Sequence, residues 1–229
     1  MLSIGLVGGM SWESSLEYYK LLNQGVERRL GGLHSARVVL SSVDFDELTG
    51  LQRAGRWDDV AGLLAGAARG VEAAGADVLL MCTTAFHTVA DQVEAAVGIP
   101  FLHLADVVAA AVRARGPRTV GPLATSYTMQ QRFFVDRLES HGVRVVVPQP
   151  QRHDVVDRII YRELVRGKVL DASRATVVSV VDELWDAGAE GVVLGCTELE
   201  LLVKQADCEI PVFPSTTLHV EAALDAALS

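Results

Sequence analysis

Residues 74–92, AGADVLLMCTTAFHTVADQ, lie without a gap on residues 187–205, AGAEGVVLGCTELELLVKQ. A chain that carries one segment twice must solve the same local packing problem twice, so its architecture is expected to be a repeated one. Ala-Gly-Ala falls on Ala-Gly-Ala, Asp77 on Glu190 and Gln92 on Gln205, and two apolar runs coincide. In that register Thr83 stands opposite Cys196, while Cys82 stands opposite Gly195. Two shorter pairs extend the duplication: Ser3–Ser11 (SIGLVGGMS) with Thr119–Tyr127 (TVGPLATSY), and Ile99-Pro-Phe with Ile210-Pro-Val. Each half therefore repeats strand, helix and strand in the same order.

Apolar runs bounded by turn residues occur at 3–7, 37–43, 77–82, 119–123, 143–147 and 191–195, with helical patterns such as 58–74, 104–115 and 172–187 between them. Strands alternating with helices imply right-handed βαβ units and parallel sheets. The expected fold class is α/β, with two similar domains, each a short parallel sheet flanked by helices, related by pseudo-twofold symmetry. The expected domains are 1–98 plus 212–229, and 99–211, with the C-terminal helix returning to the first half after Pro214. Ser14-x-x-Glu17 and Thr128-x-x-Gln131 have capping-box form and mark helix starts. Ligands of open parallel sheets collect beyond the C-terminal strand ends. Gly8-Gly9-Met10-Ser11, Cys82-Thr83-Thr84, Ala124-Thr125-Ser126 and Gly195-Cys196-Thr197 all fall there.

Composition removes several classes of function. Half of the 229 residues are hydrophobic, yet no apolar run approaches the roughly 18 residues of a membrane span. The opening MLSIGLVGGM lacks a basic stretch and a cleavage site, so it reads as a strand entering a turn, and a cytoplasmic location is expected. A net charge of −9, with Lys and Arg scattered, opposes nucleic-acid binding. Gly5-x-x-Gly8-Gly9 does not match GxGxxG, no Gly-Lys-Ser/Thr completes a P-loop, and the six histidines show no HExxH spacing. No metal is expected; Asp44 and Asp46 read as turn carboxylates. None of Lys20, Lys168 and Lys204 stands at a strand end, where a Schiff-base lysine for pyridoxal would be wanted, and a GxSxG elbow is absent.

Three cysteines, Cys82, Cys196 and Cys208, show no CxxC spacing, so reduced thiols are expected. Cys82 reads as a buried hydrophobe closing an apolar strand. Cys196 follows a glycine at a strand end and opens a helix at Thr197-Glu198, where N-terminal amides are expected to lower a thiol pKa. Cys208 lies in an acidic turn and reads as incidental.

GGMSWESS, CTTAFH, GPLATSYTM and GCTELELL, in that order, resemble the aspartate/glutamate racemase family across nearly the whole chain. The resemblance implies two α/β domains with a substrate cleft between them, no cofactor, and two residues on opposite faces of the substrate Cα. The family's first motif reads Cys-Asn-Thr-x-His; four residues before His87 stands Thr83, in agreement with the repeat register. This is similar to a subgroup in which threonine faces a single catalytic cysteine and L-aspartate and L-glutamate are preferred. That subgroup carries Asn after the threonine, where this chain has Thr84. The resemblance thus implies Thr83 and Cys196 as the acid/base pair. Cys196 would perform the harder deprotonation, because an aliphatic hydroxyl is a far poorer base than a thiol.

Candidate carboxylate donors are the backbone N–H groups of Thr84, Ala85, Thr197 and Glu198 and the hydroxyls of Thr125 and Thr128, with Met10 at the first strand end. Aspartate-specific relatives place Arg and Lys where this chain has Leu48 and Val165, leaving Gln52, Arg53 and Glu163 as the nearest polar residues. If Glu163 faces the pocket, it would favour a neutral or amino-bearing side chain over a carboxylate. A small amino acid is the expected partner, and a homodimer the expected assembly. Two alternatives stay open: a malonate-type decarboxylase using a single cysteine, and a two-lobed small-molecule binding protein.

Overall fold

The computed structural model describes residues 1–229. It divides into two compact units, Met1–Leu104 with His219–Ser229, and Ala105–Leu218.

In the first unit, β1 (Ile4–Gly8) leads through α1 (Trp12–Leu30) to β2 (Val38–Ser42), then α2 (Phe45–Arg53), α3 (Trp57–Ala73), β3 (Val78–Met81) and, after a short 3-10 turn, α4 (Ala90–Glu94). The strands are all parallel in the order β2-β1-β3. The second unit opens with α5 (Leu104–Arg115), whose first residue closes the first unit. It continues with β4 (Thr119–Leu123), α6 (Ser126–Gln130), α7 (Arg132–Ser140), β5 (Arg144–Val145), α8 (Pro150–Arg162), α9 (Asp171–Asp186), β6 (Gly191–Leu194), α10 (Thr197–Leu202) and β7 (Val212–Pro214). Its sheet is also parallel, ordered β5-β4-β6-β7. The last helix, α11 (Ser215–Leu228), begins in the second unit and continues through the end of the first.

The sequence repeat is a repeat of hydrogen bonds. Asp77 Oδ2 accepts from the amide of Ser3 at 2.7 Å, and Glu190 Oε2 accepts from Thr119 at 3.2 Å. The amides of Asp77 and Glu190 in turn donate to the carbonyls of Ser3 and Thr119, both at 2.8 Å. Backbone amides of Arg118 and Thr119 hold the exposed Glu190 carboxyl below its ordinary range. At the far ends, Cys82 donates to Val7 at 2.9 Å and Gly195 to Leu123 at 2.7 Å. The Ile-Pro pairs match as well: Leu79 donates to Pro100, and Val192 to Pro211, each at 2.9 Å. Gly5 and Gly121 hold equivalent places in β1 and β4. A Cβ on Gly5 would stand 2.3 Å from a Val71 methyl, and one on Gly121 would stand 2.6 Å from a Leu184 methyl. Each glycine lets the helix preceding the repeated strand, α3 or α9, lie close on its sheet.

These rungs explain where the division falls. Residues 99–103 run alongside β3 through the bridge Leu79↔Phe101, so they belong to the first sheet and the unit ends at Leu104 rather than 98. Residues 212–218 belong to the second, because β7 pairs with β6. From His219 onward α11 buries Val220, Ala223, Leu224 and Ala227 among Ile4, Leu6, Tyr18 and Leu22.

Two helix starts differ from the sequence expectation. Ser11, not Ser14, caps α1, accepting from the Ser14 amide at 3.3 Å; Thr125, not Thr128, caps α6, accepting from Thr128 at 3.5 Å. In both, the capping residue has extended backbone, as the step out of a strand requires, and the residue three later is already helical. Asp44 is also a cap, accepting from the amides of Asp46 and Glu47. No helix is long and apolar enough to cross a membrane.

Candidate active site

In each unit the repeat delivers one polar side chain two residues beyond the end of the repeated strand: Thr83 after β3 and Cys196 after β6. In the second unit, Cys196 adopts extended backbone (φ −146°, ψ 131°) and immediately precedes α10. Its side chain is half-buried, and Sγ donates to Glu198 Oε2 at 2.9 Å. The expectation that helix amides would lower this thiol's pKa is overturned in balance. Backbone contacts at Glu198 and Leu199 do pull it down, but burial and then the negative Glu198 carboxylate raise the thiol well above its ordinary value. α10 is only six residues long, so its terminus contributes little against a full charge next door. The resting group is a neutral thiol hydrogen-bonded to a carboxylate.

The neighbouring strand end supplies Thr125 and Thr128, whose hydroxyls lie 3.2 Å apart. Gly195 keeps this side close, since its missing Cβ would stand 3.2 Å from the Ala124 methyl. The start of α6 is further held by Asp157 Oδ1, which accepts from the Ser126 amide at 2.7 Å. One turn along α8, Tyr161 is 53% exposed. Its phenol is pushed up to about 12, by burial first and then by Asp157, Cys196 and Glu198, so it stays a neutral donor near the thiol. Thr197 Oγ1 accepts from the Thr216 hydroxyl at 3.3 Å.

Glu163, at the end of α8, has a hydrogen-bond partner of its own. Its carboxylate accepts from the Ser173 hydroxyl at the start of α9, a tie that fastens the end of α8. The sequence could not show this partner ten residues away.

In the first unit, Thr83 is buried, and Thr84 and Ala85 follow half-buried at the start of the 3-10 turn Ala85–Val89. His87 is buried; its Nε2 accepts from the Leu104 amide at 3.3 Å, which gives this motif residue a structural task at the start of α5. Cys82 is fully buried in the core with Ile4 and Leu80, and burial raises its thiol far above the ordinary range. Met10 is a core residue, packed with Leu48 and Phe86 rather than presented as a surface contact. Next to it, Gly9 adopts φ +92°, and a Cβ there would stand 2.2 Å from the Val43 carbonyl. The Gly9 amide donates to Ser15 Oγ at 2.8 Å, fixing the turn after β1. Gln52 lies half-buried in the last turn of α2, whose Phe45 packs edge-on against Phe86 of the 3-10 turn.

Three contributors were missed by sequence reasoning. They are the Glu198 side chain, whose residue the sequence offers only for its amide, and Asp157 and Tyr161 of α8. The last two stand four apart on α8, a spacing that places them on one helix face.

The second unit thus holds a thiol hydrogen-bonded to a carboxylate at the C-terminal end of a parallel sheet, within an α/β fold. The chain belongs to the Asp/Glu/Hydantoin racemase family, whose model matches residues 7–223. Among solved structures it is similar to a protein from Yersinia pestis proposed to be an Asp/Glu racemase, at 46% identity and a TM-score of 0.94, with 100% of both chains covered. It is also similar to an aspartate racemase homologue from Pyrococcus horikoshii, at 32% identity and a TM-score of 0.91, again over 100% of both chains. An aspartate racemase from Picrophilus torridus, at 20% identity and a TM-score of 0.79 over 98% of this chain and 94% of that one, shares the fold.

Proposed function

We propose that the protein is a cofactor-independent amino-acid racemase, with aspartate and glutamate as the first substrates to test, in which Cys196 and Thr83 serve opposite faces of the substrate Cα. The observation that carries this reading is the Cys196 thiol, partly exposed at a strand end and donating to Glu198. Membership of the racemase family and the register of the repeat support it.

Glu198, which accepts the hydrogen bond of the thiol, takes the thiol proton in this reading. The thiolate so formed removes the Cα proton, and the carbanion is stabilised by donors at the substrate carboxylate. Thr84, Ala85, Thr197 and Glu198 amides, with the Thr125 hydroxyl, are the proposed donors. Reprotonation comes from the opposite side through the Thr83 hydroxyl, which passes its proton to Cα as it takes one from water, because its own pKa is too high for it to be left as an alkoxide. The two directions of racemisation are then unequal, with one enantiomer strongly preferred. The core position of Leu48 and the tie between Glu163 and Ser173 leave no cation or free carboxylate from those positions to read the distal group. Gln52 and Arg53, in the last turn of α2, are the remaining polar candidates for that role.

The test is chiral chromatography of L- and D-amino acids incubated with the protein and with Cys196→Ser. Inversion of at least one acidic amino acid, lowered about 100- to 10,000-fold by the substitution, is expected for loss of an acid–base group. Inversion that survives Cys196→Ser would remove the thiol from the reaction.

A further inference from the structure

Beside β7, the outer strand of the second sheet, lies a hollow of about 320 Å³. Its residues all belong to the second unit. Val203, Val212 and Pro214 give it an apolar wall, and Arg115 and Lys204 supply two cations. In a chain of net charge −9, two cations lining one small apolar hollow form a local exception.

Both cations are held by carbonyls rather than carboxylates. Arg115 Nη1 donates to the Val212 carbonyl at 3.2 Å, and its guanidinium lies 5.2 Å from the centre of the Phe213 ring. Lys204 Nζ donates to the Glu200 carbonyl. A guanidinium has five N–H donors and an ammonium three, so each retains donors beyond those bonds. Gln205 reinforces the wall: its Oε1 accepts from the Val212 amide at 2.9 Å, and its Nε2 donates to the Ile210 carbonyl at 3.1 Å. The one acid in the lining, Glu200, is committed elsewhere. Its carboxylate accepts from the amides of Thr216 and Thr217 and from the Thr217 hydroxyl at the start of α11.

We propose that this hollow is a second ligand site, taking a small organic carboxylate whose charge meets Arg115 and Lys204 and whose carbon chain lies on Val203, Val212 and Pro214. A carboxylate suits the planar donor fork of arginine, and the apolar wall selects an organic anion over an inorganic one. Occupancy would bear on the candidate active site through α10. Lys204 is tied to the carbonyl of Glu200, and that helix starts at the residue after Cys196. The binding inference does not rest on the racemase reading, because its readout requires no turnover.

The experiment is calorimetric titration of succinate into the full chain carrying Thr83→Ala and Cys196→Ala, and into the same chain with Arg115→Gln and Lys204→Gln added. Inorganic phosphate is titrated in parallel. The expected result is a saturable succinate site that the added pair weakens at least about tenfold, distinct from any binding that the pair leaves unchanged, with phosphate at least about tenfold weaker than succinate at that site. Because the Arg115 change also removes a bond to β7, Lys204→Gln alone, with unchanged circular dichroism, must weaken succinate in the same direction. Absence of saturable binding, succinate binding unaffected by the added pair, or phosphate binding as tightly as succinate would each overturn the proposal.

Discussion

At the scale of single residues, the pair Cys196–Glu198 decides the resting state of the site. A carboxylate 2.9 Å from a thiol opposes its ionisation and accepts its proton, so the same group raises the pKa and offers the route by which the thiol is deprotonated. Glu198→Gln is therefore expected to separate the two effects. Alkylation of Cys196 by iodoacetamide, followed against pH, should shift to lower pH, while turnover falls; a shift to higher pH would mean that the carboxylate stabilises the thiolate instead. Thr83→Cys is expected to raise activity toward the disfavoured enantiomer, measured as the ratio of forward to reverse kcat/KM. An unchanged ratio would show that residue 83 does not face the substrate. The place of Thr83, two residues beyond the end of β3, was legible in the sequence because the repeat and the spacing to His87 agree. The upward direction of the thiol's pKa was not, since it depends on burial and on which way the Glu198 side chain turns.

At the scale of elements, most strands and long helices were legible because their apolar periodicity is a local property. The expected helix 104–115 coincides with α5, and the run at 119–123 with β4. The run at 143–147 shrank to the two residues of β5, where only Arg144 and Val145 pair with β4. Ser14 and Thr128 matched a capping-box pattern, but strand geometry starts each helix three residues earlier, and no local pattern reports where a strand lets go. The domain boundary was misplaced for a related reason: Leu79 recruits Phe101 across a helix and a turn. The equivalence of Gly5 and Gly121 carries its own prediction. Gly5→Ala and Gly121→Ala should each destabilise by about 1–3 kcal/mol, since each methyl enters space held by Val71 or Leu184. Urea denaturation midpoints check this; a midpoint at or above that of the parent chain would show that the helix shifts freely.

At the scale of the whole molecule, one buried group in each unit is expected to respond to acid in the opposite sense from the other. His219, in the first unit, is fully buried between the Tyr18 hydroxyl at 2.9 Å and the Leu102 carbonyl at 2.7 Å, and its pKa falls to about 4, chiefly through burial. The unfolded chain binds this proton near pH 6.5 and the folded one only near 4, so its contribution to stability is full above pH 6.5 and is lost as pH falls toward 4, by up to about 3 kcal/mol. Glu200, in the second unit, is raised to about 7, again chiefly by burial. Its contribution is full below the ordinary carboxyl pKa and is lost as pH rises through 7. Hydrogen-exchange protection factors, corrected for intrinsic rates, should therefore fall in β1 and β3 and rise in β6 and β7 as pH drops from about 6.5 to 4.5. Equal change in both units would contradict the assignment. Neither titration was legible in the sequence, because both depend on partners that the fold brings from distant segments.

The most direct measurement of the central claim is incorporation of solvent deuterium at Cα when L- and D-aspartate and glutamate are incubated in heavy water with the parent chain, Thr83→Ala and Cys196→Ala. The account predicts deuterium in the product with the parent chain, exchange without inversion of the preferred enantiomer in Thr83→Ala, and no exchange of it in Cys196→Ala. Exchange that persists in Cys196→Ala at the parent rate would contradict the account.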